Sequence, residues 1–121
     1  MQRSESGHAN YSPTIEACIR ACLACMRACE YCADACLREE HIGMMAECIR
    51  TCRDCADICS LCARLMARNS DLFMEMCRVC AIACELCAEE CEQHDHDHCR
   101  RCAEACRQCA ETCRQVAQEE M

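Results

Sequence analysis

Cysteine recurs along this chain at the spacing of one face of an α-helix. In the first run the steps between cysteines are 4, 3, 4, 3 and 4 residues, the spacing of the inner seam of a helical bundle. Three further runs of five cysteines repeat the alternation, and the four runs hold all 21 cysteines. The runs are Cys18, Cys22, Cys25, Cys29, Cys32, Cys36; Cys48, Cys52, Cys55, Cys59, Cys62; Cys77, Cys80, Cys84, Cys87, Cys91; and Cys99, Cys102, Cys106, Cys109, Cys113. The sequence therefore predicts four helices whose seams carry thiols where a bundle would ordinarily carry Leu, Ile or Val.

The composition supports helices around a core of small residues. Only 15 of the 121 residues are Leu, Ile, Val or Phe, which with a net charge of −8 would usually favour disorder. Buried cysteine, however, behaves as a small hydrophobe, and 18 alanines with two glycines and one proline favour helix. We predict an all-α, antiparallel up-down-up-down four-helix bundle with a Cys-lined core. It should form one domain at residues 12–118, preceded by a flexible segment at residues 1–11.

The helix limits follow from capping residues and breaks. Ser12 and Pro13 form a good helix start, as N-cap and first helical residue. The sequence 69–71 predicts a C-cap followed by an N-cap. The connections are short, so neighbouring helices must be antiparallel. The predicted helices run from Pro13 to about Glu40, from beyond Gly43 to about Arg68, then to about Gln93, and finally to about Gln118.

Antiparallel pairing of the four runs stacks 20 cysteines in five layers of four and leaves Cys36 at one end. The layers are Cys18, Cys62, Cys77, Cys113; Cys22, Cys59, Cys80, Cys109; Cys25, Cys55, Cys84, Cys106; Cys29, Cys52, Cys87, Cys102; and Cys32, Cys48, Cys91, Cys99. Counting residues around the short connections pairs the cysteines of helix 1 with those of helix 2, and the cysteines of helix 3 with those of helix 4, within each layer. The expected structure is a continuous column of thiols.

The two ends of this column differ. One seam step beyond the first layer lie Ile15, Met66, Phe73 and Val116, which we interpret as an apolar plug with Met66 as packing residue. The opposite end is polar and offers sulfur and nitrogen ligands, with Met45 and His94 in the seam and His41, Met44 and His98 close by. Acidic residues outnumber basic ones there.

Thiols at this spacing suit a soft monovalent metal. Residues i and i+4 have Cβ atoms roughly 5–6 Å apart, and a linear thiolate–metal–thiolate unit needs sulfurs about 4.5 Å apart when each bond is ~2.3 Å. Thiolate is the ligand type that selects Cu(I). Twenty-one thiolates cannot be buried ionised, so each entering Cu(I) should displace one proton and leave the core neutral. Zinc held by four thiolates would leave a charge of −2 in each layer.

Other functions fit the sequence less well. No cysteine is set apart as a nucleophile, so we predict no enzyme. Iron–sulfur ligands usually come from loops with spacings such as C-x2-C-x2-C. Disulfide scaffolds are loop-rich, whereas this cysteine spacing is helical. A purely structural helical oligomer would not exclude Leu from every seam position. The alternative that remains is a zinc or general thiophilic-metal buffer or detoxification protein, because four-thiol layers suit tetrahedral zinc.

The location and partners are predicted from what the sequence lacks. The first residues contain no apolar run, so we expect no signal peptide and a cytoplasmic location with reduced thiols. No stretch approaches the ~20 apolar residues of a membrane span. The 13 basic residues are all Arg, interspersed with 21 acids without a basic patch. We therefore expect neither membrane nor nucleic-acid partners.

With repeated C-x3-C and C-x2-C steps on all four helices, the sequence resembles the bacterial copper storage proteins over roughly residues 12–118. Its start resembles their cytosolic branch. The resemblance implies a homotetramer of bundles that stores many Cu(I) ions. We expect roughly one Cu(I) per cysteine, because bridging sulfurs serve two metals each, and a copper chaperone or copper-enzyme acceptor as a partner. It implies all 21 cysteines as metal ligands, and a metal entrance of His and Met residues. The entrance residues would here be His41, Met44, Met45, His94 and His98.

Overall fold

The computed structural model describes residues 12–119, and every regular element within that range is a helix. The four long helices are α1 (Pro13–Cys36), α2 (Ala46–Ala67), α3 (Phe73–Cys91) and α4 (Asp97–Glu119), with a 3₁₀ turn (Ile42–Met45) before α2. The helices α1 and α3 each pack against both α2 and α4, so the four form a square bundle. The predicted all-α, antiparallel four-helix fold is confirmed. The predicted flexible segment, residues 1–11, lies outside the described residues.

The start of α1 has the predicted cap. The hydroxyl oxygen of Ser12 accepts a hydrogen bond from the backbone N–H of Ile15 at 3.1 Å, and Pro13 follows as the first helical residue. One of the four unpaired N–H groups of a helix start is thereby satisfied. This cap fixes where the first cysteine seam begins.

The first helix ends at Cys36, four residues before the predicted Glu40. From Arg38 onward the backbone bonds three residues back, to Ala35 and then from Glu39 to Cys36, which tightens the chain into a turn. None of residues 37–40, which follow the last cysteine of this helix, has a buried side chain that would stabilise a further helical turn by packing in the core. The turn carries Glu39 back over the end of the bundle, where it meets α4.

The connection between α2 and α3 differs in detail from the prediction. Asn69 adopts the left-handed conformation (φ 54°) just after the C-cap Arg68, and the N–H groups of Asn69 and Ser70 bond to the carbonyls of Met66 and Leu65. This is the Schellman arrangement, which needs a residue that tolerates positive φ. The N-cap of α3 is Leu72, without a side-chain hydrogen bond, so the predicted N-cap at 70–71 is wrong.

Small side chains let the four helices lie close together. All 21 cysteines have 0% exposure, and most other buried seam neighbours are alanines. The distance between packed helices depends on the side chains at the contact, and Cys and Ala are small enough to allow a close approach. The core is lined with sulfur atoms. These alanines are Ala33, Ala56, Ala63, Ala81, Ala88, Ala103, Ala110 and Ala117.

One outer face of α3 is apolar and exposed. Leu72, Val79, Ile82 and Leu86 all present large side chains to solvent. Next to this face lies a shallow groove of about 180 Å³ between α2 and α3, whose lining includes Ile58. Single exposed apolar residues are ordinary, but a contiguous face of this kind is typical of an interaction surface.

Candidate metal centre

The cysteine seams of the four helices meet along the bundle axis. Every thiol is buried, and each is free of disulfide bonding. Because the seam alternates by 4 and 3 residues, each helix contributes a straight row of sulfurs rather than a scattered set. Four such rows facing each other make one continuous sulfur column, which we call the thiol stack.

Sulfurs from α1 and α4 pair level by level, as do those from α2 and α3. The α1–α4 Sγ–Sγ distances are 3.6 to 3.9 Å, for Cys18–Cys113, Cys22–Cys109, Cys25–Cys106, Cys29–Cys102 and Cys32–Cys99. The α2–α3 distances are 3.6 to 3.7 Å, for Cys62–Cys77, Cys59–Cys80, Cys55–Cys84, Cys52–Cys87 and Cys48–Cys91. These pairs reproduce the membership of the five predicted layers.

The closest neighbours within a layer differ from those derived for helices 1 and 2 and for helices 3 and 4. Among the derived pairs, Cys25–Cys55 is in direct sulfur contact, at 3.8 Å. Most of the shortest contacts join α1 to α4 and α2 to α3, and others cross the core diagonally, such as Cys52–Cys102 at 3.7 Å and Cys29–Cys87 at 3.9 Å. Counting residues around a connection gives the layer in which each cysteine lies but not the direction in which its sulfur points. The layers could therefore be predicted from the sequence, whereas the closest sulfur neighbours could not.

Contacts along each helix join the layers into one stack. The Sγ–Sγ distance is 3.8 to 4.0 Å in five of the C-x3-C pairs: Cys25–Cys29, Cys32–Cys36, Cys55–Cys59, Cys80–Cys84 and Cys87–Cys91. A linear metal unit needs sulfurs about 4.5 Å apart with bonds of ~2.3 Å. A small change of rotamer would therefore open a pair enough to hold an ion. Most of the sulfurs touch more than one neighbour, as Cys25 does with Cys29, Cys55 and Cys106, which suits bridging ligands.

Burial raises the pKa of two thiols, Cys36 and Cys99, at the end of the stack that His98 approaches. The pKa of Cys36 is raised by burial and further by repulsion from Cys32 and Cys48. The pKa of Cys99 is raised in the same way. A buried thiol resists ionisation because a charge there loses its hydration. A cation entering the stack would remove that obstacle and release the proton.

Of the histidines that the structure describes, His98 is the one whose imidazole reaches the thiols. Its Nδ1 lies 3.4 Å from Cys32 Sγ, 3.6 Å from Cys99 Sγ and 4.0 Å from Cys36 Sγ. Its Nε2 lies 2.7 Å from Oε2 of Glu39. A neutral His98 that donates its Nε2–H to this carboxylate presents the Nδ1 lone pair to the thiols, the orientation of a metal ligand.

The electrostatics of His98 and Glu39 are coupled. Burial lowers the pKa of His98, but hydrogen bonds to Cys32 and Glu39 outweigh burial, so its pKa lies above the ordinary value. The hydrogen bond with His98 lowers the pKa of Glu39. His96 stacks parallel on His98 with ring centroids 5.3 Å apart, and its Nδ1 lies 3.6 Å from the same carboxylate. The two rings and Glu39 thus form one polar group above the thiol stack.

The other predicted entrance residues lie around a cleft at the same end. Met45 is buried, whereas His41 and Met44 are exposed, Met44 by 74%. His94 is half-buried and its Nε2 lies 2.8 Å from Oε2 of Glu90. The cleft has a volume of about 340 Å³, and we call it the entrance cleft. Its lining is Glu39, Glu40, His41, Met44, Met45, Gln93, His94, Asp95 and His96.

Sequence reasoning placed His94 rather than His98 in the seam and overlooked Glu39 as a partner. A signal for His98 was present, since it precedes Cys102 by four residues and so lies on the same helix face. Glu39 is 59 residues away, on a turn predicted as helix. Its contact with α4 depends on how that turn closes.

The opposite end of the stack is closed by apolar residues. Ile15, Met66 and Val116 are buried in the same cluster as the thiols, and Phe73 packs against that cluster. The thioether Sδ of Met66 lies 3.8 Å from Cys77 Sγ. This closed end therefore excludes water, in contrast to the entrance cleft.

Comparison with known proteins agrees with this geometry. A family model described as "Copper storage protein" matches residues 12–118. The chain belongs to the copper storage protein family. The family is one of storage proteins rather than enzymes, as the sequence predicted. Within residues 12–119 no helix combines the length and apolar character needed to cross a membrane.

Individual members of the copper storage protein family match closely. The structure of Cu(I)-bound copper storage protein BsCsp3 of Bacillus subtilis is 49% identical with a TM-score of 0.83, over 86% of this chain and 98% of that chain. The Streptomyces lividans copper storage protein Ccsp, loaded with 10 copper equivalents, is 37% identical with a TM-score of 0.87, over 93% and 91%. Another structure of the Streptomyces protein, with five coppers, is described as cytosolic. The cysteine-rich protein YhjQ of Bacillus subtilis strain 168, described as uncharacterized, is 50% identical over 88 residues, 73% of this chain and 82% of that protein.

Proposed function

We propose that this chain is a high-capacity store for Cu(I) in the cytoplasm. The observation that carries the proposal is the thiol stack, in which 21 buried, uncrosslinked sulfurs form one continuous column. Soft thiolate ligands select Cu(I). A protein that merely packed its helices would have no need for sulfur at every seam position. The copper-loaded relatives support the same assignment.

All 21 cysteines would be ligands, and the capacity would be roughly 20 Cu(I) per chain, because bridging sulfurs each serve two metals. Charge balance supports this number. Each Cu(I) that binds forms bonds to sulfur and releases one thiol proton, so the net charge of the core does not change. A core that stays neutral avoids the cost of burying charge, which grows with every uncompensated ion.

Zinc buffering is the second candidate, and a specific feature favours it. Several groups of four cysteines have all their sulfurs within 4.8 Å of one another, among them Cys22, Cys80, Cys109 and Cys113. Tetrahedral zinc would fit such a group. Four thiolates around one Zn²⁺ leave a charge of −2, however, and repeating that through a dry core is unfavourable. The charge argument therefore ranks copper above zinc.

Copper would enter through the entrance cleft, which His41, Met44, Met45 and His94 line, and would pass to His98 beside the thiols. Glu39, Glu40 and Asp95 line the same cleft and attract a cation, more strongly at low salt. Imidazole and thioether ligands bind copper less firmly than thiolate does, so they suit transfer into the stack. His98 would make the last transfer, since its Nδ1 lies 3.4 Å from Cys32 Sγ.

The partners would be further copies of the chain and a copper donor or acceptor. The exposed apolar face of α3 is the surface that supports a homotetramer. A copper chaperone or a copper enzyme would exchange the ion at the acidic entrance cleft. Storage inside each bundle would leave the outer helix faces free for assembly.

An anaerobic Cu(I) titration against a chromophoric chelator, with zinc run in parallel, tests the function. We expect tight uptake of roughly 20 Cu(I) per chain and far fewer zinc ions. Cys84→Ser, in the middle layer, should lower the capacity by about one ion while keeping the side-chain volume. Saturation near five metals with zinc displacing copper would favour the zinc candidate instead.

A further inference from the structure

The thiol stack does not end at its last cysteine layer. On α2 the steps from Cys48 continue 4, 3, 4, 3 to Cys62, and a further step of 4 reaches Met66. This is the same series that leads from Cys18 to Cys36 on α1. The first helix thus carries a sixth sulfur at the entrance, and the second carries a sixth sulfur at the closed end.

The thioether of Met66 faces the thiols rather than the apolar plug. Cys77 donates its S–H to Met66 Sδ at 3.8 Å, within the 3.6 to 4.0 Å range of the thiol contacts. Donation to Sδ places a sulfur lone pair toward the stack. The side chain is 1% exposed, so water does not compete for that lone pair. At the neighbouring seam positions Ile15 and Val116 fill the plug without any ligand atom.

We infer that Met66 is a Cu(I) ligand that ends the metal column at the closed end, in a site shared with Cys62 and Cys77. This assignment rests on the proposed copper storage and extends it to a residue outside the cysteine set. The sulfurs of Cys62 and Cys77 are 3.7 Å apart. Three sulfurs around a trigonal ion with bonds of ~2.3 Å would lie about 4.0 Å from one another, close to the contacts that exist.

The binding step balances without a redox partner. Cu(I) bonds to Cys77 Sγ, Cys62 Sγ and Met66 Sδ, the S–H bond of Cys77 breaks, and its proton leaves. Cys62 bridges to the neighbouring Cu(I), whose binding breaks the S–H bond of Cys62 and releases that proton. Each Cu(I) is thus matched by one thiolate and the thioether is neutral, so the site stays uncharged, which suits a plug lined by apolar side chains. Without the thioether, the last copper would face hydrocarbon on one side.

Methionine-methyl NMR of the full chain during anaerobic Cu(I) titration tests this ligand. The eight methionines carry ¹³C at the methyl group, and Met66→Leu assigns the Met66 signal. We expect that signal to be replaced by a new, shifted one late in the titration, because the closed end lies farthest from the entrance. Signals of Met26 and Met74, off the seam, serve as the reference. Met66→Leu should bind about one Cu(I) fewer than the wild type, and Met74→Leu should bind the full amount.

Two results would overturn the assignment. One is a Met66 methyl signal in the wild-type protein that, at copper saturation, moves no more than the signals of Met26 and Met74. The other is a shifted signal with unchanged capacity in Met66→Leu, since the thioether would then only pack against copper. A wild-type chain that took up few Cu(I) ions, or preferred zinc, would refute the storage function itself and with it this ligand.

Discussion

His98 Nδ1 lies 3.4 Å from Cys32 Sγ, which makes this ring, among the histidines of residues 12–119, the one in contact with the thiol stack. A ligand at that position would take copper from the cleft and pass it to thiolates that bind it more firmly. Substituting His98 with Ala should slow both loading and removal about tenfold, equivalent to about 1.4 kcal/mol of barrier. Stopped-flow uptake with a chromophoric Cu(I) chelator measures the rate.

His96→Ala is the matched control for His98→Ala. The His96 ring stacks on His98 and lies near Glu39, but its contacts are with those polar groups. It should therefore change the rate little. Final copper capacity should be nearly the same in both variants, since the thiols are intact. Equal slowing by the two substitutions would mean that the charge of the polar group, rather than ligation by His98, controls uptake.

The direction of loading gives a second prediction. Replacing His41, Met45 and His94 together with Ala or Leu should slow loading and removal while leaving capacity almost unchanged. These residues line the entrance cleft, and acidic neighbours there draw the cation in. Raising the ionic strength should slow copper uptake more in the wild type than in the Glu40→Gln variant.

The control for the direction of copper entry opens the closed end of the variant in which His41, Met45 and His94 are replaced. Adding Phe73→Ala and Met66→Ala should not restore the copper uptake rate of that variant. Truncating a buried side chain should also lower the free energy of unfolding by about 2–5 kcal/mol. Urea unfolding of the metal-free protein measures that cost. If loading ignored the entrance residues and rose sharply when Phe73 and Met66 were cut, copper would be entering from the other end.

The His98–Glu39 pair predicts a pH-dependent contribution to stability. The pKa of His98 is raised by its bonds to Cys32 and Glu39, so its stabilisation is complete below the ordinary value of about 6.5 and is lost as the pH rises through the raised value. The pKa of Glu39 is lowered, so its contribution is present above about 4.3 and is lost as the pH falls through the lowered value. The pair therefore stabilises the metal-free protein most in weakly acidic solution.

Urea unfolding of wild type and Glu39→Gln across this pH range, under reducing conditions, measures the contribution. The difference between their free energies of unfolding should be largest between the two pKa values and shrink on either side. Glu40→Gln, in the same turn but exposed, is the control and should show no such maximum. A difference that stayed constant from acid to alkaline pH would contradict the ion pair.

Assembly through the exposed face of α3 is the fourth prediction. Ile82→Glu should disrupt the proposed tetramer, because a carboxylate buried in an apolar interface is left unpaired. Leu23→Glu, at an exposed apolar residue of α1, should leave the tetramer intact. Light scattering gives the mass, and copper per chain should not change in either variant. Identical masses for both variants would place the interface elsewhere.

Much of the fold was predictable because one residue type marks the core without exception. The 4–3 alternation from Cys18 to Cys113 fixed the helices, the direction of their seams and the level of each thiol. Seam position depends only on helical periodicity, and layer membership depends only on the length of the connections. Both can be counted from the sequence.

The features that could not be predicted depend on side-chain directions and turn geometry, which helical periodicity does not determine. The shortest sulfur contacts follow side-chain direction, as in Cys18–Cys113. The early end of α1 follows from backbone bonding in its last turn, and that turn brings Glu39 to His98. The inward-facing thioether of Met66 is equally a matter of side-chain conformation. Tertiary contacts between distant residues decide each of these.

In the proposed store, each metal ion is a Cu(I) that has replaced one thiol proton in a neutral core. Native mass spectrometry of the anaerobically loaded chain measures this exchange, because the mass gained per ion shows whether a proton was lost. We predict a series that reaches roughly 20 copper ions per chain, with one proton lost for each ion. Saturation near five ions, or copper bound without matching proton loss, would contradict a continuous neutral copper–thiolate column.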